Sequence, residues 1–109
     1  MKNMKIKIFD EDWTVYITSS VCAGLIANGD PCLGTCWNDK GEIYLSEMLH
    51  GLKAKKVIRH ELAHAFIGVT QANNPKEWTE EALCDFVGIY CKDISDLADE
   101  IYNELYKGE

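Results

Sequence analysis

Hydrophobic and polar residues alternate from the start of the chain. Ile6 and Ile8 are interleaved with Lys5 and Lys7; after Asp10-Glu11-Asp12, the residues Trp13, Val15 and Ile17 alternate with Thr14, Tyr16 and Thr18. Two runs of period two around a polar turn predict a β-hairpin. Leu33–Trp37 and Glu42–Ser46 flank Asn38-Asp39-Lys40-Gly41 and predict a second one. Residues 19–32 fit two descriptions. One is a short helix capped by Ser19 or Ser20 and ended after Ala27 by Asn28-Gly29-Asp30-Pro31; the other is a loop.

The period then changes. Ile58, Leu62, Ala65, Phe66 and Val69 recur at helical spacing, predicting a helix from about Leu52 to Ile67 with Gly68 near its end. Asn74-Pro75-Lys76-Glu77 supplies a capping residue, a proline at the first helical position and an acid at the third. A second helix is expected from there to about Cys91. Asp93 is read as the cap of a third helix, whose stripe is Ile94, Leu97, Ile101 and Leu105. The tail after Glu104 is expected to fray. No repeat, low-complexity tract or linker divides the chain, so residues 1–109 read as a single α+β domain: a small antiparallel or mixed sheet packed on helices.

Composition narrows the function classes. A chain of 109 residues supports one modest core, and an apolar share of 47% is ordinary for a globular protein. A net charge of −7 weighs against nucleic acid and anionic membrane as partners. No apolar run approaches the roughly 20 residues that span a bilayer. Met1–Lys7 is basic but lacks an apolar core segment, so it does not read as a signal peptide, and the expectation is a cytoplasmic monomer. Five cysteines, an odd number without a signal peptide, are expected as free thiols that pack as small hydrophobes. Cys32-x-x-x-Cys36 lacks the second pair that would complete a metal site.

The helical stripe has a second side, and the chemistry lies there. Val57, His60, Glu61, His64 and Gly68 fall opposite the apolar residues, and His60-Glu61-Leu62-Ala63-His64 reads H-E-x-x-H. Residues four apart on a helix share a face, with Cβ atoms roughly 5–6 Å apart. Two imidazoles at that spacing hold one zinc ion, with Zn–N bonds of about 2.0–2.1 Å. Glu61 projects beside them, where it can polarise a zinc-bound water and carry its proton. The plain alternative is a surface helix that happens to carry two histidines and a glutamate. The two-faced pattern, holding two of the chain's three histidines, favours zinc.

A catalytic zinc needs a third protein ligand and an open position. In Trp78-Thr79-Glu80-Glu81-Ala82-Leu83-Cys84-Asp85, the carboxylates of Glu81 and Asp85 are four apart and share a face. Glu81 is the expected ligand, and Asp85 the expected acceptor for the outer N–H of a ligand histidine. Glu80 is the rival, but it points about 100° away on a helix of 3.6 residues per turn and has Cys84, not a carboxylate, four residues on. A solvated acidic face is the ordinary reading of such a pair; the upstream motif argues against it here. Cys84, one turn beyond Glu81, could approach the metal or oxidise beside it, with packing its simpler role.

H-E-L-A-H followed by E-A-L-C-D resembles the gluzincin clan of zinc metallopeptidases, typified by thermolysin. From Met4 to about Tyr90 the chain is similar to very small members of that kind, the minigluzincins and phage-encoded relatives. The resemblance implies a zincin-like fold: short N-terminal strands, the H-E-x-x-H helix, then the glutamate helix. It also implies that the strand before the active-site helix borders the cleft, which here is Glu42–Ser46. Ile43, Tyr44 and Leu45 are then the expected edge to which an extended peptide adds. In minigluzincins the C-terminal segment can block the cleft, an option beside plain packing for the last helix. Two departures stand out: the gap from His64 to Glu81 is shorter than in thermolysin, and no tyrosine or histidine is identified to stabilise the oxyanion. Other zinc families fit less well. Metzincins need glycine at position 67 and histidine at 70, where this chain has Ile67 and Thr70. Peptide deformylases need H-E-x-D-H, where it has Ala63.

The expected function is therefore zinc-dependent hydrolysis of a peptide or protein substrate. His60, His64 and Glu81 hold one zinc ion, and Glu61 is the general base, passing its proton to the leaving amine. The alternative is a zincin-fold module that binds a peptide or protein partner and hydrolyses little. A protease acting on one regulatory protein, as an antirepressor does, lies between these, and a redox-responsive zinc protein using Cys84 is a weaker third. Glu61 favours the enzyme, because a purely structural zinc site needs no base.

Overall fold

Both hairpins form, and one sheet joins them. The computed structural model describes residues 2–70 and 79–106. Its elements are β1 (Lys2–Ile8), β2 (Glu11–Thr18), a 3₁₀ turn (Ala23–Leu25), β3 (Ile26–Ala27), β4 (Asp30–Pro31), β5 (Gly34–Trp37), β6 (Glu42–Ser46), α1 (Gly51–Thr70) and α2 (Glu80–Leu105). The first turn is tighter than the polar triplet suggested. Pairing begins at Ile8 with Glu11, so Glu11 and Asp12 belong to β2, and Phe9 makes the turn at φ +56°. Two-residue hairpin loops favour such left-handed backbone because its twist matches the strands. Residues 19–32 form the 3₁₀ turn and a small β3–β4 ribbon around Asn28-Gly29, at φ +53° and +83°, in place of a helix through Ala27.

The main sheet has the order β1-β2-β6-β5. β1 and β2 are antiparallel, β2 and β6 parallel, and β6 and β5 antiparallel. The expectation that Ile43, Tyr44 and Leu45 form an exposed edge is therefore corrected. β6 is paired on both sides, with Val15 opposite Ile43 on one and Cys36 opposite Ile43 on the other. The edge is β5. The cause is the parallel β2–β6 pairing, which brings two strands rich in β-branched and aliphatic residues together in the interior. Ile43 and Leu45 are buried there.

One face of the sheet makes the core. Ile6, Ile8, Val15, Ile17, Ile43 and Leu45 meet Ile58, Leu62, Ala65 and Phe66 of α1, and Phe86, Ile94, Ala98, Ile101 and Leu105 of α2. On the other face the Tyr16 and Tyr44 rings stack 4.8 Å apart across the parallel pair. The 3₁₀ turn closes over them: the Gly24 carbonyl accepts hydrogen bonds from Thr35 Oγ1 and Trp37 Nε1, and a side chain at Gly24 would run into the Tyr44 ring. Gly51, at φ +62°, turns the chain into α1.

The C-terminal half differs from expectation. α2 is one continuous helix of 26 residues, so the predicted end at Cys91 and restart at Asp93 do not occur. The buried stripe runs from Phe86 through Ile94 to Leu105 at helical spacing, and no glycine or proline interrupts residues 91–93. Asp93 is an exposed residue within the helix. The N-cap of α2 is Thr79, in extended conformation, whose side chain accepts from Ala82 N at 3.1 Å. The Asn74–Glu77 start expected from sequence lies outside the described residues. At the far end Tyr106 Oη donates to the Ser46 carbonyl at 2.8 Å and ties α2 to β6. Among the described residues no helix is long and apolar enough to cross a membrane.

Continuity of α2 separates two substitutions that the sequence treats alike. Thr79→Ala removes a cap and should cost about 1 kcal/mol. Asp93→Ala replaces a poor helix former at an exposed interior position and should be neutral or stabilising by about a few tenths of a kcal/mol. Urea denaturation of both variants measures the contrast. A loss of about 1 kcal/mol at Asp93 would indicate a helix start there.

Candidate functional site

α1 has the two faces its sequence implies. Ile58, Leu62, Ala65 and Phe66 are buried against the sheet, whereas His60 and His64 are exposed. The two imidazole rings lie 5.0 Å apart, centroid to centroid, on neighbouring turns. Glu61 differs from both. It is 7% exposed, the one buried charged residue among the described residues.

What buries Glu61 is the edge strand. β5 crosses α1 so closely at Gly34 that an added Cβ would lie 2.8 Å from Val57 Cγ1, 3.0 Å from Glu61 Cγ and 3.2 Å from Glu61 Oε2. Glycine within a strand marks such an approach of other atoms to the backbone. Two cavities open on either side of this crossing. One, of about 300 Å³, is lined by Cys32, Thr35, Cys36, Asn38 and His64. The other, of about 590 Å³, runs along the N-terminal half of α1 past Leu33, Leu52, Lys53, Lys56 and Val57. Gly34, His60 and Glu61 line both. The motif thus sits at the middle of a trench between the edge strand and α1. At the His64 end, Asn38 fills the space that a side chain at Gly68 would need.

Electrostatics follow from burial. Desolvation raises the Glu61 pKa above the ordinary glutamate value, and the nearby His60 pulls it partly back. Desolvation, and then His60, lower the pKa of His64. That favours the neutral imidazole, the form that gives a lone pair to a metal. The Cys36 thiol is pushed up to about 12 by burial and by the charge of Glu61. It stays protonated at neutral pH in this setting, and a thiol is a poor nucleophile and metal ligand.

Not every expected residue arrives at the trench. Glu81 and Asp85 lie in the first turns of α2 and are exposed. The buried stripe of α2 begins at Phe86, about 100° round from Asp85 and about 140° from Glu81 at 3.6 residues per turn. Acids in that first turn sit favourably at the positive end of the helix dipole whether or not they meet a metal. The two histidines fit a single zinc ion in donor type and spacing. Among the described residues, however, no group of three His, Cys, Asp or Glu side chains is arranged to hold a metal ion. The cysteines are all free thiols, as expected, but none is fully buried; Cys84 and Cys91 are exposed on α2, and Cys84 is outside the trench.

Gly34, Leu33 and Asn38 belong to the site although the motif does not point to them, and Val57 joins them from the motif's own face of the helix. The glycine opening a short strand that ends at Trp37, just before Asn38-Asp39, was the available signal, since edge strands and close crossings use such residues. The chain matches no family model, no curated protein and no solved structure.

Glu61 links the site to stability. Its folded-state pKa is raised, so between the unfolded and folded values the folded chain holds more protons, and stability falls as pH rises through that window. Glu61→Gln removes the buried charge. In chelator, the variant should melt above wild type at pH 7, with the gain shrinking as pH falls from the raised folded-state value towards the ordinary glutamate value of about 4.5, below which it is lost. Thermal melts across that range check it. A pH-independent difference would mean that Glu61 is not held in a desolvated site.

Proposed function

We propose that this chain is a zincin-type metallopeptidase that hydrolyses a peptide or protein substrate with the help of one zinc ion. The observation that carries the reading is a buried glutamate flanked by two exposed, neighbouring histidines at the centre of a trench. Burial makes Glu61 a stronger base than a solvated glutamate, which suits it to take a proton from water. A glutamate with only a structural role would have little reason to be desolvated here.

His60 and His64 would hold the ion, with Glu81 as the proposed third donor and Asp85 as its supporting acceptor. Zinc supplies Lewis acidity, lowering the pKa of water from about 15.7 towards roughly 7. Glu61 takes the proton of the attacking water and delivers it to the leaving amine. β5, in place of β6, is the strand to which the substrate would add, because its outer backbone groups face no partner strand. Thr35, Cys36 and the Gly34 backbone then flank the scissile bond.

A second reading has its own support. With Glu81 exposed and no three-donor group among the described residues, the trench also suits a module that binds a peptide and turns over little. Metal content and rate together separate the two. The enzyme reading expects about one zinc per chain, lost in His60→Ala or His64→Ala. Glu61→Gln should keep the metal while cleavage of a peptide library falls by about 10²–10⁴. Absence of chelator-sensitive cleavage by wild type would leave the binding module.

The third donor is decided separately by zinc titration. Glu81→Ala should abolish tight binding, Asp85→Asn should weaken it by roughly 10–100-fold, and Glu80→Ala should do little. If Glu81→Ala binds zinc like wild type, the ligand comes from elsewhere.

A further inference from the structure

The larger cavity has a composition that the hydrolytic reading does not use. Its walls include Leu33 and Leu52, which are 43% and 82% exposed, together with Val57. Large apolar side chains left in water around a cavity of about 590 Å³ have the character of a ligand pocket. Its rim is cationic, formed by Lys53 and Lys56.

That rim is unusual for this chain. The net charge is −7, yet residues 51–60 carry Lys53, Lys55, Lys56 and Arg59 and no acid. Lys55 is engaged, 3.8 Å from Asp99 and over the Tyr102 ring. Lys53 and Lys56 are exposed and form no ion pair among the described residues. α2, by contrast, holds eight acids and one lysine. An anionic ligand is repelled by most of the molecule, so a local cation cluster decides where it can settle.

We propose that the trench selects an acidic peptide segment: an apolar side chain seats against Leu33, Leu52 and Val57, and carboxylates next to it meet Lys53 and Lys56. Cleavage of the bound segment rests on the hydrolytic reading; its binding does not. A peptide is favoured over other anions because the pocket is continuous with the cleft at Gly34, His60 and Glu61 and borders the free edge of β5. An extended chain pairing with β5 would carry alternate side chains towards α1 and into the apolar floor. Lys56 and Lys53, one and two helical turns before His60, are then the residues that set specificity.

The test uses the full chain and fluorescent peptides with one central leucine, flanked by acidic, neutral or basic residues. Anisotropy is read in chelator, so that binding is seen without turnover. The acidic peptide should bind several-fold more tightly than the neutral one, as two exposed ion pairs allow, and the advantage should shrink between low and high salt. Lys53→Glu/Lys56→Glu should reverse the order, and the milder Lys53→Gln/Lys56→Gln should flatten it; circular dichroism checks that both fold. No acidic preference in wild type, or a preference unchanged in the variants, would overturn the proposal. So would tighter binding to phosphatidylserine vesicles than to the acidic peptide. Repeating the series with zinc separates the two claims. Acidic preference without cleavage keeps this inference and removes the hydrolytic reading, whereas cleavage without acidic preference does the reverse.

Discussion

The close crossing of β5 over α1 at Gly34 is the contact on which the rest of the site depends. A side chain there would collide with Val57 and Glu61. Without one, the strand lies near enough to remove Glu61 from water, while His60 and His64 stay in reach of solvent. Burial of one carboxylate between two accessible imidazoles is then a consequence of backbone geometry. It does not need a special partner for Glu61. The raised pKa of Glu61 and the lowered pKa of His64 share this origin, since desolvation is the leading cause of both. The same crossing divides the trench, giving it a more polar end and a more apolar end with lysines on its rim.

That crossing is itself a result of strand order. β2 and β6 pair in parallel because both carry inward-facing aliphatic residues, Val15 and Ile17 beside Ile43 and Leu45. Once they occupy the middle, the β5–β6 hairpin can only place β5 outside, where α1 follows directly on β6. The 3₁₀ turn holds β5 from the far side through the Gly24 carbonyl, which accepts from both Thr35 and Trp37. β5 is thus fixed by β6, by α1 and by the turn, although it is only four residues long.

Local periodicity made much of this legible. The alternation at Ile6–Ile8 and Trp13–Ile17, the Asn38–Gly41 turn and the stripe Ile58–Phe66 each report on neighbours a few residues away, and each formed. H-E-x-x-H was readable for the same reason: its geometry is internal to one helix. What failed was long-range or marginal. Which strand takes the edge depends on pairing between residues far apart in the chain, Val15 with Ile43, and no local pattern encodes that partner. The expected break at Asp93 rested on one capping-type residue, whereas the apolar stripe on either side was already in helical register. Glu81 and Asp85 share a helical face as expected, but the rotation of that face towards or away from α1 is set by Phe86 and the residues after it, which the pair does not reveal.

The continuity of α2 bears on how so small a chain tolerates a site of this kind. Removing a carboxylate from water costs free energy, and short domains have little to offset it. One helix that runs past its expected end supplies Ile94, Ala98, Ile101 and Leu105 to the core and is anchored to β6 through Tyr106. These contacts lie at the opposite end of α2 from Glu81. The helix is therefore held mainly by its C-terminal half, while its first turns, with Leu83 and Val87 half exposed, give the core one buried residue, Phe86. The packing that holds α2 and its exposed pair of acids, Glu81 and Asp85, thus reside in different parts of one element. A change at Glu81 or Asp85, both exposed, should leave the chain folded, whereas a cavity at the fully buried Ile101 should destabilise it.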